Sequence, residues 1–255
     1  MTLATGALLF LAAICAGAIN SVAGGGSFVS FPALLFAGVP AISANATNSA
    51  ALWPASLASA VAYRRELGGA REGALALGIA AAVGGLTGAL LLLKTNESTF
   101  VLLIPWLLLF ATLLFSFGGT LAKRLTRGRH APFAVGVAAQ VFISIYGGYF
   151  GGGMGIMMLA VMTLLGMTHI HTMNALKNVL AVLINGIAIV PFIIAGQVQW
   201  APAAVMIAGG ITGGYLGAAA ARRVSPRHVR VLVLVIAWGM TAYFFAKTYF
   251  LSRGP

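Results

Sequence analysis

Ten apolar segments follow one another along the chain, separated by short polar or glycine-rich links. They cover residues 3–22, 27–39, 45–63, 72–93, 99–119, 131–149, 154–166, 172–195, 200–220 and 229–250. The chain is 60% hydrophobic and only 7% charged, whereas a soluble domain carries about 25% charged residues. Water cannot solvate such a surface, and the apolar runs are continuous rather than alternating. The sequence therefore predicts an all-α, polytopic transmembrane helical bundle.

The segments fall into two length classes. Eight are close to the roughly twenty residues that a helix needs to cross about 30 Å of hydrocarbon. Segments 27–39 and 154–166 have 13 residues each, and as helices they would span only about 20 Å. Each of these two either crosses where water indents the membrane or re-enters from one side.

The chain also contains an internal duplication. In both residues 20–48 and residues 147–178, a glycine triplet precedes a short apolar run, a lone glycine ends that run, and an Asn-rich stretch opens a longer one. The motif Gly-Gly-Leu-Thr-Gly-Ala at 84–89 also matches Gly-Gly-Ile-Thr-Gly-Gly at 209–214. We therefore predict a first transmembrane repeat over 1–122, a basic cytoplasmic linker over 123–130 and a second repeat over 131–255. Polar, glycine-broken segments at matching positions of two halves are typical of a transporter's binding site.

The basic loops determine the predicted orientation. They follow segments three, five and nine: Arg64, Arg65 and Arg71; Lys123, Arg124, Arg127 and Arg129; and Arg222, Arg223, Arg227 and Arg230. If all ten segments cross, these loops lie on one side, which the positive-inside rule makes the cytoplasm. Both termini then lie outside, and the two halves are inverted repeats of five segments each. The alternative is eight crossings with two re-entrant hairpins, which puts two basic loops on opposite sides.

Several functional classes are disfavoured by the charged residues. The net charge of +12 is concentrated in short loops, so the positive-inside rule explains it and no nucleic-acid partner is expected. The only acidic residues, Glu66, Glu72 and Glu97, lie in or beside predicted loops, which argues against a carboxylate proton relay in the membrane. With a single cysteine and no acid, base or nucleophile near the polar clusters, we expect no metal, no cofactor and no enzymatic activity.

An anion is the substrate that the remaining polar residues favour. The glycine triplets place exposed backbone N–H groups at the starts of segments two and seven, where helix N-termini attract oxyanions. Lys177 supplies a cation, and spacings of three residues bring polar side chains of segments three and eight onto shared helix faces. The predicted substrate-binding residues are Asn20, Gly24, Gly25, Gly26, Ser27, Asn45, Thr47, Asn48, Gly151, Gly152, Gly153, Gly155, Asn174, Lys177 and Asn178.

Each of these features also has a purely structural interpretation. The glycines can serve only close helix crossing, an Asn or Ser27 can cap a helix, and Lys177 can extend its ammonium group to a membrane interface. His169 and His171, in the predicted link before segment eight, either carry a proton during transport or have no role.

The same residues resemble the sulfite exporter TauE/SafE family of membrane permeases. The resemblance rests on residues 20–32 with their glycine triplet, on Asn45-Ala46-Thr47-Asn48, and on residues 147–155 with Asn174, Lys177 and Asn178. It implies an inner-membrane transporter that moves sulfite, thiosulfate or an organosulfonate such as sulfoacetate, usually outward. Its partners would be the small anion and the lipid bilayer. A transporter of carboxylates or inorganic anions and a non-transporting assembly subunit remain alternatives, and the sequence leaves the oligomeric state open.

Overall fold

The computed structural model describes residues 1–22, 24–70, 73–126, 130–220 and 226–251, and these contain α-helices and no β-strand. The helices are α1 (Leu3–Val22), α2 (Ser27–Phe36), α3 (Ala41–Ala62), α4 (Ala74–Lys94), α5 (Glu97–Thr126), α6 (Phe133–Tyr149), α7 (Met154–Leu164), α8 (Ile170–Ile194), α9 (Trp200–Ala220) and α10 (Pro226–Phe245). A 3-10 helix (Arg64–Ala70) follows α3, and a π-helical turn (Ala246–Phe250) extends α10. The all-α prediction is confirmed.

Six of the described helices are long and apolar enough to cross a membrane: α1, α4, α5, α8, α9 and α10. Two helices that the sequence also predicts to cross, α3 and α6, are not among these six. Although α3 has 22 residues, its many Asn, Ser and Thr residues make it too polar by composition. Helix α6 has only 17 residues because it begins at Phe133, directly after a proline.

The two short segments form shorter helices than expected, of 10 and 11 residues. Both end in the same way. Gly38 and Gly166 adopt positive φ angles of 81° and 89°, and the next residue donates back across the turn, from Val39 N to Leu34 O and from Met167 N to Met162 O. This is the glycine-terminated Schellman arrangement, so the lone glycine of each repeat stops the helix rather than extending it.

The most extensive helix contacts occur in matched pairs. Helix α1 packs on α9 as α6 packs on α4, and α3 packs on α9 as α8 packs on α4. Small residues make this possible, since a Cβ added to Gly88 or to Gly213 would lie 2.0 Å from the carbonyl oxygen of Ile145 or Ile14, respectively. The two glycines occupy equivalent places in the duplicated motif. The packing thus follows the duplication seen in the sequence.

Helices α3 and α8 contact each other in antiparallel orientation at the centre of the protein. Near the end of α3, the Tyr63 ring stacks on His171 with centroids 6.3 Å apart. Ten residues earlier, Trp53 Nε1 donates to Val182 O at 3.1 Å. As α3 advances, its contacts therefore move back along α8.

Parts of the predicted linker and basic loops lie outside the described residues. These are Arg71, Arg127, Arg129, Arg222 and Arg223, together with the acidic Glu72. The predicted linker does not begin with a break in the helix, because α5 continues to Thr126.

Candidate functional site

The loop between α1 and α2 is built around its glycines. Gly24 and Gly25 have φ angles of 75° and 98°, a region that side chains with a Cβ rarely enter. Gly24 N donates to Ile19 O at 3.1 Å, and Gly26 N donates to the side-chain oxygen of Asn20 at 2.8 Å. Asn20 therefore stabilises the loop by accepting a hydrogen bond from one of its backbone N–H groups.

The loop between α6 and α7 has a related form. Gly151 and Gly153 have φ angles of 77° and 78°, and Gly151 N donates to Tyr146 O at 3.1 Å. Here a tyrosine supports the loop, because Tyr146 Oη donates to Gly152 O at 2.8 Å. In the first turn of α7, Met154 N donates to Gly151 O at 3.3 Å and Ile156 N donates to Gly153 O at 3.1 Å. This leaves the Gly155 N–H without a backbone acceptor among the described residues, as is usual for some N–H groups of a first turn.

The two glycine-rich loops cross in direct contact. A Cβ added to Gly24 would lie 2.9 Å from Gly155 Cα, and one added to Gly155 would lie 3.0 Å from Gly24 Cα. Real Cβ atoms do not approach backbone this closely, so only glycine fits at both positions. The two glycine-rich segments therefore meet, and close crossing accounts for these two glycines whether or not they also contact a ligand.

Lys177 lies beside this crossing and is buried, with 2% of its surface exposed. Its Nζ donates to Asn20 O at 2.6 Å and to Ser21 O at 3.4 Å, which are carbonyls at the C-terminal end of α1. The ammonium group therefore does not extend to a membrane interface, and that alternative is wrong. An ammonium group has three donors, and no described residue accepts from the third or forms an ion pair with it.

The polar residues of α3 bond to different parts of the protein. Asn48 Nδ2 donates to Ser27 Oγ at 3.3 Å, and Asn45 Nδ2 donates to Tyr149 O at 3.1 Å. Thr47 Oγ1 instead accepts from Gln199 N at 2.9 Å. Asn48 thus joins α3 to the first glycine-rich loop, whereas Thr47 binds the loop between α8 and α9.

Four buried asparagine atoms have no hydrogen-bond partner among the residues that the structure describes: Asn45 Oδ1, Asn48 Oδ1, Asn174 Oδ1 and Asn178 Nδ2. Leaving a buried polar group unpaired costs about 1–3 kcal/mol. Such groups are therefore candidates for contact with a ligand.

No asparagine caps α3 or α8, so the capping interpretation is wrong for Asn45, Asn48, Asn174 and Asn178. The N-caps of α3 and α8 are Pro40 and His169, which places Asn45 and Asn174 in the second turns. Ser27 does not cap α2 either, because the N-cap is Gly26 and it makes no side-chain cap bond. The proline starts α3 several residues before the polar stretch, and the hydropathy pattern does not reveal this.

A small cavity of about 20 Å³ lies between α3, α8 and the crossing of the loops. It is lined by eight of the fifteen predicted residues: Asn20, Gly24, Ser27, Asn48, Gly151, Gly155, Lys177 and Asn178.

The other seven predicted residues do not line the cavity: Gly25, Gly26, Asn45, Thr47, Gly152, Gly153 and Asn174. Their surroundings explain why. Gly25 faces Val233 of α10, and Gly153 faces Ala111 of α5. The prediction that each whole triplet faces one site is therefore not met by the cavity.

Three more polar residues line the cavity but were not among the predicted substrate-binding residues: Ser49, Ser56 and Asn185. The signal was their spacing. Ser49, Leu52 and Ser56 follow one face of α3, and Asn178, Ala181 and Asn185 follow one face of α8. Neither histidine lies there: His169 and His171 are exposed, and His171 stacks on Tyr63.

The described residues contain no group of three or more His, Cys, Asp or Glu side chains that could hold a metal ion. The site therefore offers one ammonium group, amides, hydroxyls and backbone N–H groups. Most of these groups are hydrogen-bond donors or can act as donors, which is the chemistry that an anion requires.

Comparison with known sequences agrees with the resemblance noted above. The sequence model of the "Sulfite exporter TauE/SafE" family matches residues 9–244. The chain belongs to the TauE/SafE family. The match spans all ten helices. The similarity to this family of multi-pass membrane transporters therefore covers the whole bundle and is not confined to a short motif.

Curated relatives have similar length. A "Probable membrane transporter protein" of Haemophilus influenzae is 30% identical over 92% of both chains. The "Probable membrane transporter protein YfcA" of Escherichia coli K12 is 29% identical over 92% of this chain and 87% of its own. A protein of Sinorhizobium, "Probable membrane transporter protein ORF9", is 28% identical over 91% and 88%. No solved structure matches the chain significantly.

Proposed function

We propose that this TauE/SafE protein exports small sulfur-containing oxyanions, sulfite or an organosulfonate such as sulfoacetate, across the inner membrane by alternating access. The observation that carries the proposal is Lys177. Its ammonium group is buried beside the crossing of the two glycine-rich loops and has no carboxylate partner among the described residues. A buried charge of this kind is costly, and a bound anion would neutralise it.

The surrounding groups suit a sulfonate. The third donor of Lys177, the Asn178 amide and the first turn of α7 at Gly155 would donate to its oxygens. Ser27 and Asn48 would approach from the opposite half. Because a sulfonate has three oxygens to satisfy, donors from both halves are expected to contact it at once.

The size of the cavity supports a conformational change. The cavity of about 20 Å³ holds one water-sized group, and sulfite, with four heavy atoms, is larger. Binding therefore requires α3, α8 or the loops to move apart. In the proposed cycle, repeats 1–122 and 131–255 are inverted relative to each other. The packed group of α1, α3 and α9 moves against the packed group of α4, α6 and α8, because these helices contact one another across the two repeats.

We take the ten-crossing topology as part of the proposal, with basic loops in the cytoplasm and both termini outside. The membrane potential then favours export, since it contributes about 2.3 kcal/mol per charge per 100 mV and the inside is negative. Export that is driven by the membrane potential requires no proton coupling, so it requires no buried carboxylate.

Ligand-induced stabilisation of the purified protein tests the proposal. The unfolding temperature would be measured with sulfite, thiosulfate, sulfoacetate, taurine, acetate and sulfate, for the wild type and for Lys177→Met. We expect stabilisation by sulfite or sulfoacetate with at least tenfold weaker apparent affinity in the variant, because a charged hydrogen bond contributes about 1.5–3 kcal/mol. Methionine keeps most of the apolar stem, and folding is checked by the unfolding temperature without ligand.

The alternatives give different results. Stabilisation by acetate or sulfate but not by sulfonates would identify a transporter of another anion. No stabilisation, together with no anion flux in vesicles and copurification of a partner protein, would identify an assembly subunit.

A further inference from the structure

The N-terminal turn of α3 is held by a carboxylate from another helix. Pro40, its N-cap, offers no side chain to the first N–H groups. Glu97, the first residue of α5, accepts from both Ala41 N and Ile42 N, at 3.2 Å in the second case. A carboxylate at a helix N-terminus also interacts favourably with the helix dipole. The sequence had placed Glu97 in a loop, where it would have no partner in α3.

Two further bonds hold the same stretch of α3 to the loop between α8 and α9. Ser43 Oγ donates to Gln197 Oε1 at 2.7 Å, and Thr47 Oγ1 accepts from Gln199 N at 2.9 Å. Three separate parts of the chain therefore meet between Ala41 and Thr47: α3, the start of α5 and the loop after α8.

The corresponding end of α8 is held differently. Its N-cap, His169, makes no side-chain cap bond, and among the described residues no side chain accepts from the first N–H groups of α8. The start of α8 instead packs against the 3-10 helix that follows α3, and His171 stacks on Tyr63. Residues 168–171 are exposed, whereas Ala41 to Asn48 are buried.

The cavity begins next to the bonded turn of α3. Its lining extends along α3 from Asn48 to Ser56 and along α8 from Asn185 to Lys177. Because the two helices are antiparallel, Asn48 and Asn185 mark the end of the cavity that is nearest the N-terminal turn of α3. The bonds made between Ala41 and Thr47 therefore lie between the cavity and that end of the protein.

We propose that Glu97 is the positioning residue of a gate that closes the outer end of the transport path. This rests on the proposed function for the direction and for the existence of a path. Release of the Glu97 carboxylate from Ala41 and Ile42 frees the start of α3, and the bonds from Ser43 and Thr47 then break as α3 moves. A groove of about 860 Å³, lined by Val39, Glu97 and Lys247 among others, flanks this turn and leaves room for the movement.

Thiol labelling tests the gate without any substrate. The native Cys15 is replaced by alanine, and Ser49→Cys places a thiol in the cavity with little change in size. A membrane-impermeant thiol reagent is added from the outer face, and the labelling rate is compared between Glu97 and Glu97→Ala. We expect at least a tenfold faster rate in the variant. Ser98→Ala is the matched control, since Ser98 lines the same groove and makes no hydrogen bond to α3.

A further variant covers the case in which Glu97→Ala does not fold. Glu97→Gln keeps one acceptor oxygen and removes the charge, so we expect an intermediate labelling rate. An unchanged rate in a folded Glu97 variant, or an equal increase in Ser98→Ala, would overturn the gate. Faster labelling in a protein that moves no sulfur anion would instead leave the gate in place and reject the proposed substrate.

Discussion

Helices α3 and α8 face each other across the cavity with matched polar patterns, but only one of them is charged. Helix α3 contributes Asn48, Ser49 and Ser56, and α8 contributes Lys177, Asn178 and Asn185. The two helices arise from equivalent places in the duplicated sequence. The difference teaches that the duplication supplied a common framework of amide and hydroxyl groups, whereas the lysine that lines the cavity belongs to the second repeat alone.

Separating the two halves at their crossing should have the largest effect. In Gly155→Ala, the new Cβ would lie 3.0 Å from Gly24 Cα and 3.3 Å from Lys177 Cδ. We expect a loss of about 1–3 kcal/mol of stability, as for other overpacked sites, together with loss of anion binding. Gly239→Ala is the control, because nothing lies within 4 Å of its added Cβ. Thermal unfolding of both variants measures the difference, and equal unfolding temperatures would contradict the close crossing.

The next largest effect should distinguish two asparagines of α8. Asn174 and Asn178 are both buried and each has an unpaired amide atom, but only Asn178 lines the cavity. We expect Asn178→Ala to weaken anion binding about tenfold, as for the loss of one hydrogen bond worth about 1.4 kcal/mol. Asn174→Ala should change it less than twofold. Titration of the purified variants with the stabilising anion checks this, and the reverse order would move the site along α8.

The smallest effect should come from the contact between α3 and α8 that lies outside the cavity. Trp53→Phe removes the bond from Trp53 Nε1 to Val182 O, which we expect to cost about 1 kcal/mol of stability without changing anion affinity. Trp200→Phe provides the control, since Trp200 is exposed and its side chain makes no hydrogen bond to the residues that the structure describes. A large loss of affinity in Trp53→Phe would show that α3 and α8 bind the anion as one unit.

The duplicated pattern pointed to residues that the structure brings together around one cavity. Polar residues are rare in apolar segments, so Lys177, Asn48 and Asn178 stand out, as do the glycine triplets. The same residue types recur at matching positions of the two halves, which is not expected by chance. That signal carries no information on which way a residue faces. Gly25 and Gly153 consequently shared the prediction with Gly24 and Gly155, although they pack against α10 and α5.

Other errors arose where a tertiary contact decides a local feature. Glu97 follows Asn96 in a polar stretch, so its sequence indicates a loop, and only the fold brings it to α3. Ser49 and Ser56 were missed because serine is also common between packed membrane helices. Without the antiparallel partner α8, nothing in the sequence separates a serine in a cavity from one in a contact.

The bond between Lys177 and the end of α1 has a consequence for biogenesis. It joins residues 157 positions apart in the chain, so the carbonyls of Asn20 and Ser21 are made long before the lysine that binds them. The chain is synthesised from its N-terminus, so α1 enters the bilayer before α8 has been made and lacks this contact until then. Contacts of such long range are formed slowly. Folding of this protein should thus be completed only after synthesis of its second half, when Lys177 of α8 binds the carbonyls at the end of α1.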